Sequence, residues 1–495
     1  MTQHKILSVL WFVLGFGIFM FTRRSEIFPT IQVAIIIAPI FILRFIRTQP
    51  AKKGIMLTLL GFLLSMNIAL WGLFEISDSA MMVIYNVIRS SLLAILYFLP
   101  YMLDRLIYPK FKDKAFVSSL SFPTIATAIF FLSSLEGPFD GTSAKTIFAY
   151  GPLILQQFNS VFGLWGFIFL FSWLAAVINY AWEAEFVWGK AKKIMLTFSS
   201  VVLVILLFGT IKISSQQPAK TVKVAAIVLI PQDGRATPME TIFNNKLTSP
   251  FDKRMERIES LTKQAAGNDA KIISFQEFAM TIAEKNEIKL IEQYKRIARE
   301  HDIYLSITYA FFSETEKGHN KHLLIDNQGD VKIDYSKRYL LGLGDFGETG
   351  VFNKGAEIIQ AADTPYGTIA ICTCRDMNFQ SYIRQAGKMN ADIMLSPSYD
   401  WPKSTSPGYY QRAIENGFSF VRPTYNGITF AEDFNGRILG RMDSDDTIDG
   451  IMYADVPTKG VKTIYATIGD IPGWLCVFGL SVYVIMSIKI RVFKD

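Results

Sequence analysis

Three residues in the second half of the chain could together run nucleophilic chemistry at a carbonyl: Glu277, Lys337 and Cys374. Cys374 closes the apolar run GTIAICTCRDMNF. A free thiol has a pKa of about 8.5, so a nucleophilic cysteine needs a base or a positive charge beside it. A carboxylate can take the thiol proton, and an ammonium can stabilise both the thiolate and the oxyanion of a tetrahedral intermediate. The histidines are His4, His301, His319 and His322; with none near Cys374 in sequence, a Cys/His pair is disfavoured and Glu, Lys and Cys remain. Each also has an ordinary explanation: a buried structural thiol, a helix N-terminal acid, a solvated edge lysine.

These residues need a rigid frame, and the pattern around them supplies one. Glu277 follows KIISFQ, Lys337 follows the second arm of the hairpin HLLIDNQGDVKIDY, and Cys374 follows TIAICT. Each therefore stands at a predicted strand end, where sites on sheets tend to form. Further strands are expected at VKVAAIVLI, ended by Pro231 to Gly234, and at IYLSITYAFF, DIMLSP, FSFVRP, GITFAED and GIMYADV. Helices are expected over 249–266 and 282–300, the latter with Ile288, Ile291, Tyr294, Ile297 and Ala298 on one face, and near 378–388 and 408–416. The block 220–460 reads as an α/β or α+β sandwich with helices covering sheets.

The rest of the chain is too apolar for water. Hydrophobic residues make up 51% and aromatics 14%. The excess lies in stretches at about 6–22, 27–46, 54–74, 80–102, 115–135, 160–182, 194–211 and 469–488, each near the ~20 residues that a bilayer core requires. This predicts a seven-helix membrane domain over 1–212, the soluble block, and a C-terminal membrane helix over 463–490. The first stretch has no small-x-small cleavage site before Arg23 and Arg24 and reads as a retained anchor. Alternate short loops carry Arg44, Arg47, Lys52, Lys53, then Arg105, Lys110, Lys112, Lys114, then Lys190, Lys192, Lys193, with Lys489, Arg491 and Lys494 in the tail. The opposite loops hold Arg23, Arg24 and Lys145 beside Glu75, Asp78, Glu136 and Asp140. The positive-inside rule then puts the soluble block outside the cytoplasm. The net charge of +7 is thereby a topology signal, and no nucleic-acid partner is expected.

Cys372, Cys374 and Cys476 are too few for a disulfide framework. Cys372 and Cys374, two apart on a strand, are expected on one face; they offer too few ligands for a metal and would close a strained ring as a redox pair. No metal and no cofactor is expected.

The segments FQEFA around Glu277, DYSKRYLLGLGDFGE from Lys337, AICTCRDMNF around Cys374 and QRAIENGFSFVRPTYNGITFAEDFNGRI from Gln411 resemble the carbon–nitrogen hydrolase (nitrilase) superfamily. The whole chain resembles the membrane-embedded acyltransferases of that superfamily, which carry such a domain between the last two of eight helices. The resemblance implies a nitrilase-like αββα sandwich and a triad of Glu277 as general base, Lys337 as oxyanion stabiliser and Cys374 as nucleophile. In the family an acid follows the nucleophile by two residues and an aromatic by five; Asp376 and Phe379 fit, which selects Cys374 over Cys372. A second acid after the lysine is Asp345 or Glu348. The implied activity is N-acyl transfer from a phospholipid donor, through a thioester, to a diacylated apolipoprotein, by a monomer in the bacterial inner membrane. The chain departs from those acyltransferases in having Phe275-Gln276 before Glu277 and Arg375 after Cys374. The rival readings are a membrane-tethered amidase and a non-enzymatic transporter or scaffold.

Weaker signals remain. Tyr399, Trp401 and Pro402, and the run Leu340 to Phe346, read as an apolar rim for lipid or as ordinary loop packing. Arg89 lies within the fourth apolar stretch, where a charge is costly, and reads as a phosphate contact or a paired bundle residue. Trp165, Trp173 and Trp182 read as lipid-facing or belt residues, and Arg412 with Glu415, a turn apart, as a supporting ion pair.

Overall fold

The computed structural model describes residues 2–22, 29–71, 80–135, 141–149, 151–216, 220–230, 251–343, 346–400, 410–443 and 449–492. The predicted turn at Pro231 to Gly234 and the residues Arg23, Arg24, Glu75, Asp78, Glu136, Asp140, Asp345, Trp401 and Pro402 lie outside them. The chain divides into two units, one formed by 1–215 with 468–495 and the other by 216–467.

The first unit is helical. The eight apolar stretches correspond to α1 (Thr2–Phe19), α2 (Ala34–Thr48), α3 (Ala51–Ala69), α4 (Ala80–Ile107), α5 (Ala115–Leu132), α6 (Asn159–Glu183), α7 (Trp188–Ser215) and, after the second unit, a closing helix Ile471–Val492. Among the described residues six of these are long and apolar enough to cross a membrane. α1 contains only a shorter apolar stretch, Ile6–Thr22 with the turn that follows it, and α2 has 15 residues. The bundle interior carries a buried ion pair between Arg47 and Asp104. Arg47 donates to both Asp104 oxygens at 2.8 and 3.0 Å, and Ser121 adds a bond of 2.9 Å to the same carboxylate. Trp165 and Trp173 depart from the lipid-facing expectation: they are 1% and 6% exposed. Trp165 Nε1 donates to Asp470 at 2.7 Å, which gives the indole N–H a partner inside the bundle.

The second unit is a two-sheet sandwich with helices on its outer faces. Its strands are β1 (Thr221–Val228), β2 (Ile272–Phe275), β3 (Met280–Ala283), β4 (Tyr304–Phe312), β5 (His319–Ile325), β6 (Val331–Ser336), β7 (Gln360–Thr364), β8 (Gly367–Ile371), β9 (Ile393–Leu395), β10 (Ser419–Arg422), β11 (Ile428–Glu432), β12 (Ile438–Asp443) and β13 (Gly450–Pro457). The first sheet has the order β13-β1-β2-β4-β5-β6 with β3 on β4, and the second β12-β11-β10-β9-β8-β7. Parallel pairs β1/β2, β2/β4, β8/β9 and β9/β10 lie at the centres, flanked by antiparallel edges.

Strand alternation builds the layers. On β1, Val222, Val224 and Ala226 join Ile369, Ile371 and Phe420 in one buried apolar cluster. Ala225 and Ile227 point the other way, into a second core with helices α8 (Phe251–Gly267) and α9 (Glu287–Glu300). Helix α10 (Gln380–Lys388) buries Tyr382, Ile383 and Ala386 beside the second sheet. On α9 the buried stripe is Leu290, Tyr294, Ile297 and Ala298. Ile288 is 81% exposed, against the sequence expectation, because the stripe begins one turn position later. The short strands β3, β7 and β12 were not expected; each has only four to six residues and little continuous apolar sequence to mark it.

Gly355 matters to the site because a Cβ there would sit 1.8 Å from the Ser336 carbonyl oxygen, and its N–H bonds the Lys337 carbonyl at 2.9 Å. Gly355→Ala must push the Lys337 backbone aside, and overpacking of this kind costs about 1–3 kcal/mol. Thermal unfolding of the full-length protein in detergent is expected to show the loss; an unchanged transition would mean that the two segments are not held this closely.

Candidate active site

The residues predicted for catalysis converge from both sheets. Lys337 Nζ lies 2.8 Å from Glu277 Oε1 and 2.9 Å from Glu348 Oε2, with Lys337 2% exposed and both acids 1% exposed. Glu348 is thus a second acid on Lys337 among the described residues, while Asp345 lies outside them. Asn320, on β5, donates from one amide to both acids, at 2.8 Å to Glu277 and 3.0 Å to Glu348. The sequence reading passed over Asn320; its only signal was its place at the start of a strand leading into the Lys337 hairpin. The Leu341 N–H takes the remaining Glu348 oxygen at 2.7 Å.

Cys374 is not on the same strand face as Cys372, contrary to expectation. β8 stops at Ile371, Cys372 is fully buried in the apolar core, and Cys374 opens a 3-10 turn, Cys374–Asn378, with φ +49°. This left-handed conformation is costly for a residue with a Cβ, so other contacts must hold it. Thr373 and Asp376 form a reciprocal capping box. Asp376 also accepts from Tyr335 at 2.6 Å and from the Tyr339 N–H at 2.7 Å, and the Cys374 N–H donates to the Pro397 carbonyl at 2.8 Å. Phe379, the aromatic five residues on, stacks on Tyr339 at 3.5 Å and 9°. Arg375 donates to the Leu340 carbonyl.

Tyr399 joins the two halves of the site through its backbone. Its N–H donates to Glu277 Oε2 at 2.8 Å, and its carbonyl is 3.8 Å from Cys374 Sγ. A clamp fixes the residues on either side: Arg422 donates to Ser398 Oγ at 2.6 Å and to Asp400 at 2.8 Å, while Ser398 bonds Asp400 at 2.7 Å. Tyr399 and Leu340, read as possible rim residues, are 8% and 3% exposed and pack in a small cluster with Phe278, Phe352 and Tyr425. Trp401 lies outside the described residues, and Arg89 belongs to the helical unit rather than to this one. Arg412 and Glu415 pair at 2.5 Å, with Arg412 also bonding the Met377 carbonyl at 3.0 Å, in the supporting role expected of them.

The charges are mutually dependent. Burial pushes the Cys374 thiol up to about 12, the Glu277 charge adds to this, and the Lys337 charge opposes it. Burial also raises Glu277, opposed chiefly by the Lys337 ammonium. Burial works against the Lys337 charge, but a thiolate at Cys374, when one forms, and the Glu277 and Glu348 carboxylates favour it, and the balance lies well on the side of the protonated lysine. The resting thiol is neutral, so attack requires that its proton go to a base as the bond forms. Among the described residues no group of three or more His, Cys, Asp or Glu side chains could hold a metal.

Residues 225–465 match the carbon–nitrogen hydrolase family model. The second unit is a carbon–nitrogen hydrolase domain. The chain is 27% identical over 201 residues to the deaminated glutathione amidase of Dictyostelium discoideum, covering 35% of this chain and 67% of that one. It is 29% identical over 159 residues to the nitrilase and fragile histidine triad fusion protein of Caenorhabditis elegans, covering 30% and 36%. It is 24% identical over 351 residues to the apolipoprotein N-acyltransferase of Shewanella oneidensis, covering 65% and 64%. The matches to these relatives thus span between about a third and two thirds of their lengths. A crystal structure of an amidase from a Nesterenkonia species is 17% identical, with a TM-score of 0.41, and covers 51% of this chain and 94% of its own.

Two outcomes test the geometry. Arg422→Met removes the donor to both Ser398 and Asp400; release of the Tyr399 backbone is expected to slow reaction at Cys374 by about tenfold to a hundredfold, measured as acyl loading from an activated ester. Burial raises Asp376 from 3.8 to about 6, opposed chiefly by the hydroxyl of Tyr335. Its folded value lies above its unfolded one, so its contribution to stability is greatest below about pH 4 and is lost as pH rises toward 6, by up to about 3 kcal/mol. Asp376→Asn lacks this dependence, so the melting-temperature difference between wild type and variant should shift toward wild type as pH falls from 7 to about 4. A constant difference would contradict the assignment.

Proposed function

We propose that this protein is an N-acyltransferase that moves an acyl chain from a membrane phospholipid, through a thioester on Cys374, to the α-amine of the N-terminal diacylglyceryl cysteine of lipoproteins. The observation that carries this reading is the attachment of the domain. The chain enters the carbon–nitrogen hydrolase domain from one long apolar helix, Trp188–Ser215, and leaves it into another, Ile471–Val492. The similarity to apolipoprotein N-acyltransferase, at 65% of this chain, is more than residues 225–465 alone can supply. A nucleophile tethered at both ends to apolar helices suits two substrates that diffuse in a bilayer.

In this mechanism the Cys374 sulfur attacks the phospholipid ester carbonyl while Glu277 takes its proton. An ammonium has three N–H donors; Lys337 directs donors to Glu277 and Glu348, which leaves one for the oxyanion. Collapse breaks the C–O bond, Glu277 returns the proton to the leaving lysophospholipid, and a thioester remains. The lipoprotein α-amine attacks that thioester, Glu277 accepts its proton, the C–S bond breaks, Glu277 returns the proton to the Cys374 sulfur, and the amide product departs. Asn320 and the Tyr399 N–H hold the Glu277 carboxylate in place through both halves. The basic loops favour an extracytoplasmic domain in a bacterial inner membrane.

The test is reaction of the purified protein with phospholipid and a synthetic diacylated lipopeptide, read by mass spectrometry of the peptide. Wild type should add a third acyl chain, Cys374→Ala should add none, and Glu277→Gln should be slowed by about 10²–10⁴. Release of free fatty acid with the lipopeptide unchanged would favour hydrolysis, the activity named for the amidase relatives, and would overturn the transferase reading.

A further inference from the structure

A buried polar chain runs behind the nucleophile and takes part in none of the steps above. Ser274 on β2, Ser306 on β4 and His322 on β5 are each 0% exposed. Ser274 Oγ lies 3.0 Å from Ser306 Oγ, which lies 2.8 Å from His322 Nε2. The other ring nitrogen, Nδ1, reaches across to the second sheet, 3.2 Å from the Cys372 carbonyl and 3.5 Å from Thr373 Oγ1. Those are the two residues that lead into Cys374.

The donor pattern follows from the chemistry of the groups. Burial pushes the imidazole down to about 3, so it is neutral and carries one ring proton. A carbonyl only accepts, which puts that proton on Nδ1 and makes Nε2 an acceptor for the Ser306 hydroxyl, with Ser274 donating to Ser306 in turn. Every bond then points one way, from β2 through β4 and β5 to the Cys372 carbonyl. Asn320 and His322 are two apart on β5 and share a face. One strand face therefore holds Glu277 and Glu348 through Asn320 and the turn bearing Cys374 through His322.

We infer that His322 is a positioning residue, whose Nδ1–H bond to the Cys372 carbonyl fixes the left-handed turn at Cys374 so that the thiol faces Glu277 and Lys337. The inference rests on the reading of Cys374 as the nucleophile. It also reverses the weight given to histidine in the sequence: His322 is 52 positions from Cys374 in the chain, yet the sandwich brings it to the adjoining backbone, as a support and not as a base.

Two substitutions separate the ring nitrogens. In His322→Asn the amide N–H₂ stands where Nδ1 was and can still donate to the carbonyl; in His322→Gln the amide reaches the Nε2 position and leaves the carbonyl without a donor. Full-length protein in detergent is mixed with p-nitrophenyl palmitate, and the rate of acyl loading is followed by intact mass, with melting temperature measured in parallel. Loss of one buried hydrogen bond corresponds to about tenfold, so His322→Gln is expected to load about tenfold more slowly than wild type and His322→Asn within about threefold of it. Ser306→Ala, which removes the hydroxyl that fixes the tautomer, should slow loading about threefold and serves where the histidine variants fail to fold. Equal rates for the Asn and Gln variants, or wild-type loading by Ser306→Ala, would overturn the inference. Loading that persists in Cys374→Ala would overturn the nucleophile reading instead, so the two failures are distinguishable.

Discussion

The site depends on one ammonium buried between two carboxylates. Removing Lys337 from water is expensive, and only the close placement of Glu277 and Glu348 at 2.8 and 2.9 Å makes it tolerable. Burial and the Glu277 charge make a further anion there unfavourable, and the Cys374 thiol stays protonated at rest. On the proposed mechanism, reaction at Cys374 waits until a carbonyl is bound and the thiol proton has somewhere to go. Removing one member of such a buried set costs about 3–5 kcal/mol, because the partners left behind are uncompensated. Asn320, the Leu341 N–H and the Tyr399 N–H satisfy the remaining acid oxygens, so the buried cluster of Lys337, Glu277 and Glu348 needs the hairpin and the Tyr399 segment in place.

The two sheets set the distances. Glu277 follows β2, Asn320 lies on β5 and Lys337 follows β6 in the first sheet; Cys374 follows β8 and Tyr399 follows β9 in the second. Cys374 and Glu277 therefore belong to different layers, and their separation is fixed by the apolar packing that includes Val224, Ile272, Ile371 and Leu395. Where that core ends, polar contacts take over: Tyr335 to Asp376, His322 to Cys372, and Tyr399 to Glu277.

Much of this was legible in the sequence because continuous apolar strands announce themselves. The strands leading to Glu277, Lys337 and Cys374 are runs of β-branched and aromatic residues, and the resemblance to carbon–nitrogen hydrolases, through the offsets of Asp376 and Phe379, implies Cys374 rather than Cys372. Long-range polar contacts left no such trace. Asn320 and His322 look like ordinary polar positions on an edge hairpin until β5 is placed beside β4. The turn at Cys374 was read as a continuing strand because Thr373 and Cys374 prolong the apolar pattern, whereas the capping box with Asp376 stops it. The tryptophans of α6 were read as lipid-facing because hydropathy cannot tell lipid from the interior of a bundle; Trp165 found Asp470, 305 positions away.

The central claim is that Cys374 carries the acyl group. Incubating the full-length protein with phospholipid, digesting it and mapping the acyl mass by tandem mass spectrometry tests this directly. The account predicts one hydroxylamine-labile acyl group on the peptide containing Cys374, absent from Cys374→Ala. An acyl group on any other residue, or undiminished lipid turnover in Cys374→Ala, would contradict it.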